Sequence, residues 1–122
     1  MLDRRAAARG ESGNRLAGRL LDEALRTDEH PLIGFRSGAD GKRGPALIGT
    51  RLRVAQVVQT LRASEGDATD AARYLGVEPR HVNACIDYYA EFKEEIDREI
   101  EADLEFARSE QERAKRRREA VS

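Results

Sequence analysis

The most reactive side chains of this sequence are two histidines and one cysteine. His30 precedes Pro31 at the expected end of a helix, His81 lies near the expected start of another, and Cys85 falls at a buried helix position. None of them stands in a residue pattern typical of nucleophilic catalysis or of metal binding. We therefore expect a binding protein and not an enzyme, with no metal and no cofactor.

Four polar residues are suited to contact DNA, and they are Arg73, Arg80, His81 and Asn83. Arginine and asparagine can form paired hydrogen bonds with base edges, and the N-terminus of a helix suits a phosphate group. Glu78 and Asp87 oppose such contacts, because their charge has the same sign as that of phosphate. The alternative is a three-helix unit that only packs and leaves these side chains in solvent.

Two features near the C-terminus are candidates for binding a protein partner. Apolar residues recur every four positions from Tyr88, and the candidate contacts are Phe92, Ile96, Ile100 and Leu104. Because this stripe is narrow and its neighbours are acidic, we expect it to lie outside the core and to dock in a groove. A helix that pairs with a second copy is the alternative.

The second C-terminal feature is a basic cluster that contains Arg116, Arg117 and Arg118. Guanidinium groups pair well with clustered carboxylates on a protein partner. A solvated tail with weak affinity for nucleic acid is the alternative. We further expect residues 93–118 to be dispensable for the folding of the rest of the chain.

A helix-turn-helix positions the candidate DNA contacts. The motif needs a small residue at the helix crossing, a glycine in the turn and an apolar anchor on the second helix. Ala72, Gly76 and Val82 fill these positions at the required spacing. Asp67 is expected to cap the first helix, and Pro79 is expected to be the first residue of the second.

The helical part of the chain begins near residue 52. The predicted helices span residues 52–64, 68–75 and 79–114, and the last is expected to be unbroken. Thr50 is expected to cap the first of them. Arg51 is expected to pair with a carboxylate elsewhere in the fold.

The preceding part of the chain predicts a helix and a hairpin. Residues 1–27 read as a helix that is broken around Gly10–Gly13, with Asn14 as the cap of its second piece. Residues 32–49 hold two short apolar runs on either side of a turn-like segment, which predicts a β-hairpin. Two strands alone are marginal in water. We therefore expect the hairpin and the apolar helix to support a homodimer.

Composition and charge limit the class of protein. Of the 122 residues, 39% are apolar and 37% are charged, which suits one modest core with long solvated helices. The net charge of −1 combines a basic segment 1–53, an acidic segment 93–112 and the basic cluster after it. A single cysteine suits a reducing compartment, and no signal peptide or membrane span is expected. The expected location is the cytoplasm.

The stretch from His30 to Tyr89 resembles domain-of-unknown-function family number 433. The segments that carry the resemblance are His30-Pro31, Gly49-Thr50-Arg51-Leu52-Arg53-Val54, Ala71-Ala72-Arg73-Tyr74-Leu75 and Tyr88-Tyr89. It implies a homeodomain-like three-helix fold after a β-hairpin, and an antitoxin that neutralises a PIN-like ribonuclease toxin. Residues 1–27 resemble the second half of a ribbon-helix-helix domain.

Together these observations predict a mainly α fold. A three-helix homeodomain-like helix-turn-helix unit follows a β-hairpin, with an N-terminal helix and a long C-terminal helix at the two ends. The predicted domains are 1–29, 30–92 and 93–122. The resemblance implies the function of the antitoxin of a type II toxin-antitoxin pair, which binds its nuclease toxin and represses its own operon through promoter DNA. A repressor without a toxin and a structural oligomerisation module are the alternatives.

Overall fold

The computed structural model of the chain describes residues 12–38 and 41–122. Two compact units are divided between Arg51 and Leu52. The first contains α1 (Ser12–Glu29), β1 (Ile33–Ser37) and β2 (Arg43–Leu47). The second contains α2 (Val54–Ala63), α3 (Ala68–Leu75), α4 (Pro79–Glu91) and α5 (Lys93–Val121). The mainly α class, with an antiparallel hairpin before the last four helices, is confirmed.

The start of α1 differs from the prediction. Ser12 and Gly13 are already helical, so Asn14 lies inside the helix and does not cap it. A glycine inside a helix costs only about 1 kcal/mol, which the remaining turns of α1 can offset. The helix predicted over residues 1–9, and the part of the break at Gly10, lie outside the described residues. The C-terminal end is as expected, because α1 ends at Glu29, just before His30-Pro31.

In the hairpin, Ile33 pairs with Leu47 and Ser37 pairs with Arg43. Ile33 and Leu47 are both buried, and α1 packs on β1, which supports a sheet of only two strands. The part of the predicted turn at positions 39 and 40 lies outside the described residues. The predicted hairpin is confirmed over its two strands.

A partly buried ion pair joins α1 to the hairpin. Arg43 Nε and Nη2 donate hydrogen bonds of 2.8 Å to the two carboxylate oxygens of Glu23, which is only 8% exposed. These hydrogen bonds hold the pKa of Glu23 below its usual value. The pair fixes which face of α1 lies on the hairpin.

The start of α2 corrects two predictions. Thr50 does not cap the helix, because its hydroxyl donates to the Leu47 carbonyl oxygen over 2.9 Å. The cap lies three residues later at Arg53, whose N–H donates to Gln56 Oε1 over 2.9 Å. Arg51 is exposed, and no ion pair joins it to a carboxylate within residues 12–38 and 41–122.

α3 begins and ends, and α4 begins, where local sequence signals predict. The Asp67 side chain accepts hydrogen bonds from two backbone N–H groups of the first turn of α3. Gly76 ends α3 in the left-handed region with a φ of 72°, and Pro79 is the first residue of α4. α2, α3 and α4 pack on one another. Their buried apolar side chains belong to Val54, Ala55, Val57, Val58, Ala71, Ala72, Val82, Cys85 and Tyr88.

The last helix is not continuous with α4, which corrects the prediction of one helix from 79 to 114. The chain turns at Phe92, with φ −117° and ψ 41°, and α5 then extends to Val121. The turn brings the rings of Tyr88 and Phe92 to 4.6 Å between centroids. Among the described helices, none is long and apolar enough to cross a membrane.

Candidate functional site

The outward side of α3 and α4 carries the four residues selected for DNA contact. Arg73, Arg80 and Asn83 are exposed, and His81 is half-buried. Val82 is fully buried on the inner side of α4 and holds the helix on the unit. The structure therefore leaves Arg73, Arg80 and Asn83 accessible to a partner, on two helices that pack on each other.

Carboxylates close in sequence pair with both arginines of the predicted DNA set. Arg73 pairs with Asp70 over 3.0 Å, and Arg80 pairs with Glu78. The hydrogen bond from Arg80 lowers the pKa of the Glu78 carboxyl. Both guanidinium groups already have an anionic partner on their own or the adjoining turn, so a phosphate would have to compete for them.

His81 has a local structural role. Its Nδ1 accepts a hydrogen bond of 3.2 Å from the N–H of Glu78, the residue that caps α4. This contact satisfies one of the N–H groups that the start of a helix leaves without a backbone partner. Asn83 is the remaining member of the predicted DNA set, and its amide is exposed.

Tyr74 is an exposed aromatic residue of α3 that the sequence reasoning did not select. It lies on α3 beside Arg73, with 82% of its surface exposed. Aromatic and arginine side chains are enriched at interfaces. An aromatic residue adjoining an outward arginine was the signal that could have identified it.

Hydrogen bonds join the first turns of α5 to α2 and α4. Asp97 accepts hydrogen bonds from Tyr89 Oη at 2.6 Å, Lys93 Nζ at 2.8 Å and Arg62 Nη2 at 3.2 Å. The Tyr89 ring also lies within 6 Å of both cations, at 5.7 Å from Arg62 Cζ and 5.6 Å from Lys93 Nζ. This cluster joins α2, α4 and α5.

The core includes part of the stripe that was expected to lie outside it. Ile96 is fully buried and Ile100 is 5% exposed, and α5 packs on α2. Beside them, Arg53 Nη1 donates to Glu99 Oε1 over 2.9 Å. The prediction that the stripe is too narrow for the core is therefore wrong for Ile96 and Ile100, and Phe92 is half-buried beside Tyr88. Because Ile96 and Ile100 belong to the core, we now expect removal of residues 93–100 to destabilise the second unit.

Beyond Ile100 the character of α5 changes. From Glu101 to Val121 its side chains are exposed or half-buried, over a helical length of about 30 Å. Leu104 and Phe106 are 51% and 59% exposed. We call residues 101–121 the distal segment of α5.

Phe106 was missed by the sequence reasoning, because it falls outside the four-residue repeat that ends at Leu104. At helical spacing it lies on the same face as Arg113 and Arg117, seven and eleven positions further on. An apolar aromatic group that shares a face with two cations is typical of an interaction surface. That spacing was the signal available in the sequence.

The basic cluster lies at the end of this segment. Arg113 pairs with Glu110 over 3.1 Å. Within the part of the chain that the structure describes, no carboxylate pairs with Arg116, Arg117 or Arg118, which are all exposed. These three guanidinium groups are therefore accessible to an anionic partner.

Cys85 lies on the inner side of α4, as its position in the sequence predicts. It is fully buried, and burial raises the pKa of its thiol to about 12. A thiol with this pKa is almost entirely protonated at neutral pH and is a poor nucleophile. Its role in the structure is packing.

Comparison of the chain with protein families, with curated proteins and with solved structures finds no match in any of the three.

Proposed function

We propose that this protein is an antitoxin that binds a PIN-like ribonuclease in the cytoplasm, chiefly through the distal segment of α5. The observation that carries the proposal is an anchored helix whose distal segment exposes Leu104, Phe106 and a basic end. The resemblance to family number 433, on which the class of partner rests, adds an independent line of support. Binding, and not catalysis, is the proposed activity.

The chemistry of the distal segment suits an acidic nuclease. Phe106 would enter an apolar pocket, and Arg113 and Arg117 on the same face would meet carboxylates at its rim. Arg116 and Arg118 extend the positive charge around the helix end. Nuclease carboxylates that are paired with guanidinium groups cannot hold their metal ion at the same time, so toxin activity would stop.

Promoter binding through α3 and α4 is the second part of the proposal. The order of a capped helix, a left-handed glycine and a proline-started helix supports a homeodomain-like helix-turn-helix. The pairing of Arg73 and Arg80 with carboxylates favours a protein partner over DNA as the main target. A repressor without a toxin and a structural oligomer are the competing functions.

Truncation after Glu101 tests the proposed function. The shortened chain keeps Ile96, Ile100 and the Asp97 cluster, so we expect the circular dichroism spectrum and cooperative melting of the second unit to persist. Where the neighbouring reading frame encodes a PIN-like nuclease, co-expression of the truncated chain with that nuclease should no longer rescue cell growth. Full rescue by the truncated chain would place toxin binding elsewhere and overturn the proposal.

A point variant with a matched control refines the same experiment. Phe106→Ala should weaken toxin binding about 10- to 100-fold, because full burial of an aromatic side chain is worth about 1.5–3 kcal/mol. Tyr74→Ala removes an aromatic group of similar size that is also exposed, and should leave toxin affinity unchanged. Equal losses in the two variants, measured by calorimetry, would argue against the distal segment.

A further inference from the structure

The apolar stripe of α1 faces solvent. Its members are Ala17, Leu20, Leu21, Ala24 and Leu25, and all five are exposed. Their spacing is that of a helix face normally packed on a core. Leu20, Leu21 and Leu25 are 45%, 63% and 58% exposed, which is high for three leucines on one helix.

The opposite side of α1 is the side that packs on the hairpin. Glu23 is buried there and holds Arg43 through two hydrogen bonds, and Arg26 is half-buried. Rotating α1 to bury its leucines would take Glu23 away from Arg43 and leave an uncompensated charge. The hairpin therefore keeps the stripe outward.

Four of the five members of the stripe are symmetric about the middle of the helix. The midpoint of α1 lies between Leu20 and Leu21, and Ala17 and Ala24 lie at equal distances on either side. In a symmetric dimer, residue i of one copy meets residue j of the other, and j meets i. An antiparallel second copy would therefore place Leu20 opposite Leu21 and Ala17 opposite Ala24. The alanines would let the helices approach to about 8 Å.

The charges of α1 favour the same orientation. Residues 12–20 carry a net charge of +2, and residues 21–29 carry −3. Antiparallel pairing brings the basic half of one helix beside the acidic half of the other and opposes the two helix dipoles. Parallel pairing would bring like charges together.

We propose that α1 is a homodimer interface, on which a second copy of this chain packs its own α1 in antiparallel orientation around Leu20 and Leu21. The interface residues belong to α1 and none belongs to the distal segment of α5, so the inference does not depend on the proposed function. An 18-residue helix is about 27 Å long, and its stripe is smaller than the ~800 Å² per partner of a standard interface. A dimer that dissociates in the micromolar range is expected.

Sedimentation of the full chain across the micromolar range tests the dimer. Wild type should shift from monomer to dimer, and Leu21→Glu should remain monomeric with an unchanged circular dichroism spectrum, since the side chain is exposed. Leu104→Glu changes a leucine of similar exposure on α5 and should leave the dimer intact. A monomeric wild type, or a Leu21→Glu protein that still dimerises, would overturn the proposal.

Cysteine cross-linking tests the orientation, and buried Cys85 leaves the background low. A mixture of Ala17→Cys and Ala24→Cys proteins should form a disulfide between the two variants. Ala17→Cys alone should not, because in the antiparallel pair its two copies are offset by seven residues, or about 10 Å along the axis. Efficient cross-linking of Ala17→Cys to itself would overturn the antiparallel arrangement.

The same variants separate this inference from the proposed function. Leu21→Glu should lose the dimer and keep binding the nuclease, whereas Phe106→Ala should lose nuclease binding and keep the dimer. Loss of both properties in the Leu21→Glu variant would show that the dimer is required for toxin binding. Failure of one assay therefore leaves the other proposal standing.

Discussion

Asp97 is the residue on which three helices converge. Its carboxylate accepts hydrogen bonds from Lys93, Tyr89 and Arg62, which lie on α5, α4 and α2 respectively. The hydrogen bond from Lys93 contributes most, followed by that from Tyr89, and together these donors lower the pKa of Asp97 to about 2. The ionised form is therefore the one that the fold stabilises.

The stability of the second unit should depend on the protonation of Asp97. A folded-state pKa below the usual 3.8 means that this contribution is fully present above about pH 4 and is lost as the pH falls towards 2. Asp97→Asn should lower the melting temperature at neutral pH and should show a smaller further decrease across that acid range. Thermal melts at a series of pH values measure this, and parallel curves for wild type and variant would contradict it.

The residues that were predicted correctly are those whose role depends on near neighbours in sequence. Asp67 caps the helix that it precedes, and Gly76 ends the helix that it follows. The Arg53–Glu99 pair joins residues 46 positions apart, so no local pattern could indicate it. The sequence contains no tertiary information, and so it wrongly predicted that Thr50 caps α2 and that Arg51 pairs with a carboxylate. Arg53 has both roles in the structure.

At the scale of elements, two glycines should respond in opposite ways to the same substitution. An added Cβ meets no atom within 4 Å at Gly18 in α1 or at Gly76 at the end of α3. Only the backbone differs, because Gly76 has a φ of 72° and Gly18 is helical. Gly18→Ala should stabilise its unit by up to about 1 kcal/mol, and Gly76→Ala should destabilise its unit by about 1–2 kcal/mol.

Urea unfolding of the two variants measures these changes. Because both sites have open space around the new methyl group, steric clash cannot explain a difference between them. A loss of stability in Gly18→Ala comparable to that in Gly76→Ala would contradict the backbone argument.

The long C-terminal helix shows what periodicity can and cannot predict. The four-residue repeat correctly indicates a helix. It does not distinguish Ile96, which is buried, from Leu104, which is exposed, because both occupy equivalent positions of the repeat. Which turns are covered depends on how far α2 extends beside α5. The turn at Phe92 was also missed, because no glycine or proline marks it in the sequence.

At the scale of the whole molecule, the basic cluster at the end of α5 lies far along the chain from α3 and α4, the helices proposed to contact DNA. Residues 54–92 hold three basic and six acidic residues, whereas residues 113–118 hold five basic residues and no acidic one. Phosphate contacts give binding to DNA its affinity and its salt dependence, while base contacts give it sequence preference. The two properties should therefore come from different parts of this chain.

Salt titrations of DNA binding should separate these two parts. Each phosphate contact contributes about −0.9 to the slope of log K against log salt, so the five cations of the basic cluster can contribute up to about −4.5. Truncation after Glu112 should remove most of the slope, and any remaining affinity should still prefer the promoter of this protein over unrelated DNA. The double variant Arg80→Ala/Asn83→Ala should change the slope by about 1 at most, because it removes a single cation, and should abolish that preference.

Fluorescence anisotropy with promoter and scrambled duplexes measures both the salt slope and the preference for the promoter. A double variant that loses as much slope as the truncation would place the phosphate contacts on α4, and a truncated chain without any promoter preference would leave α3 and α4 with a packing role alone.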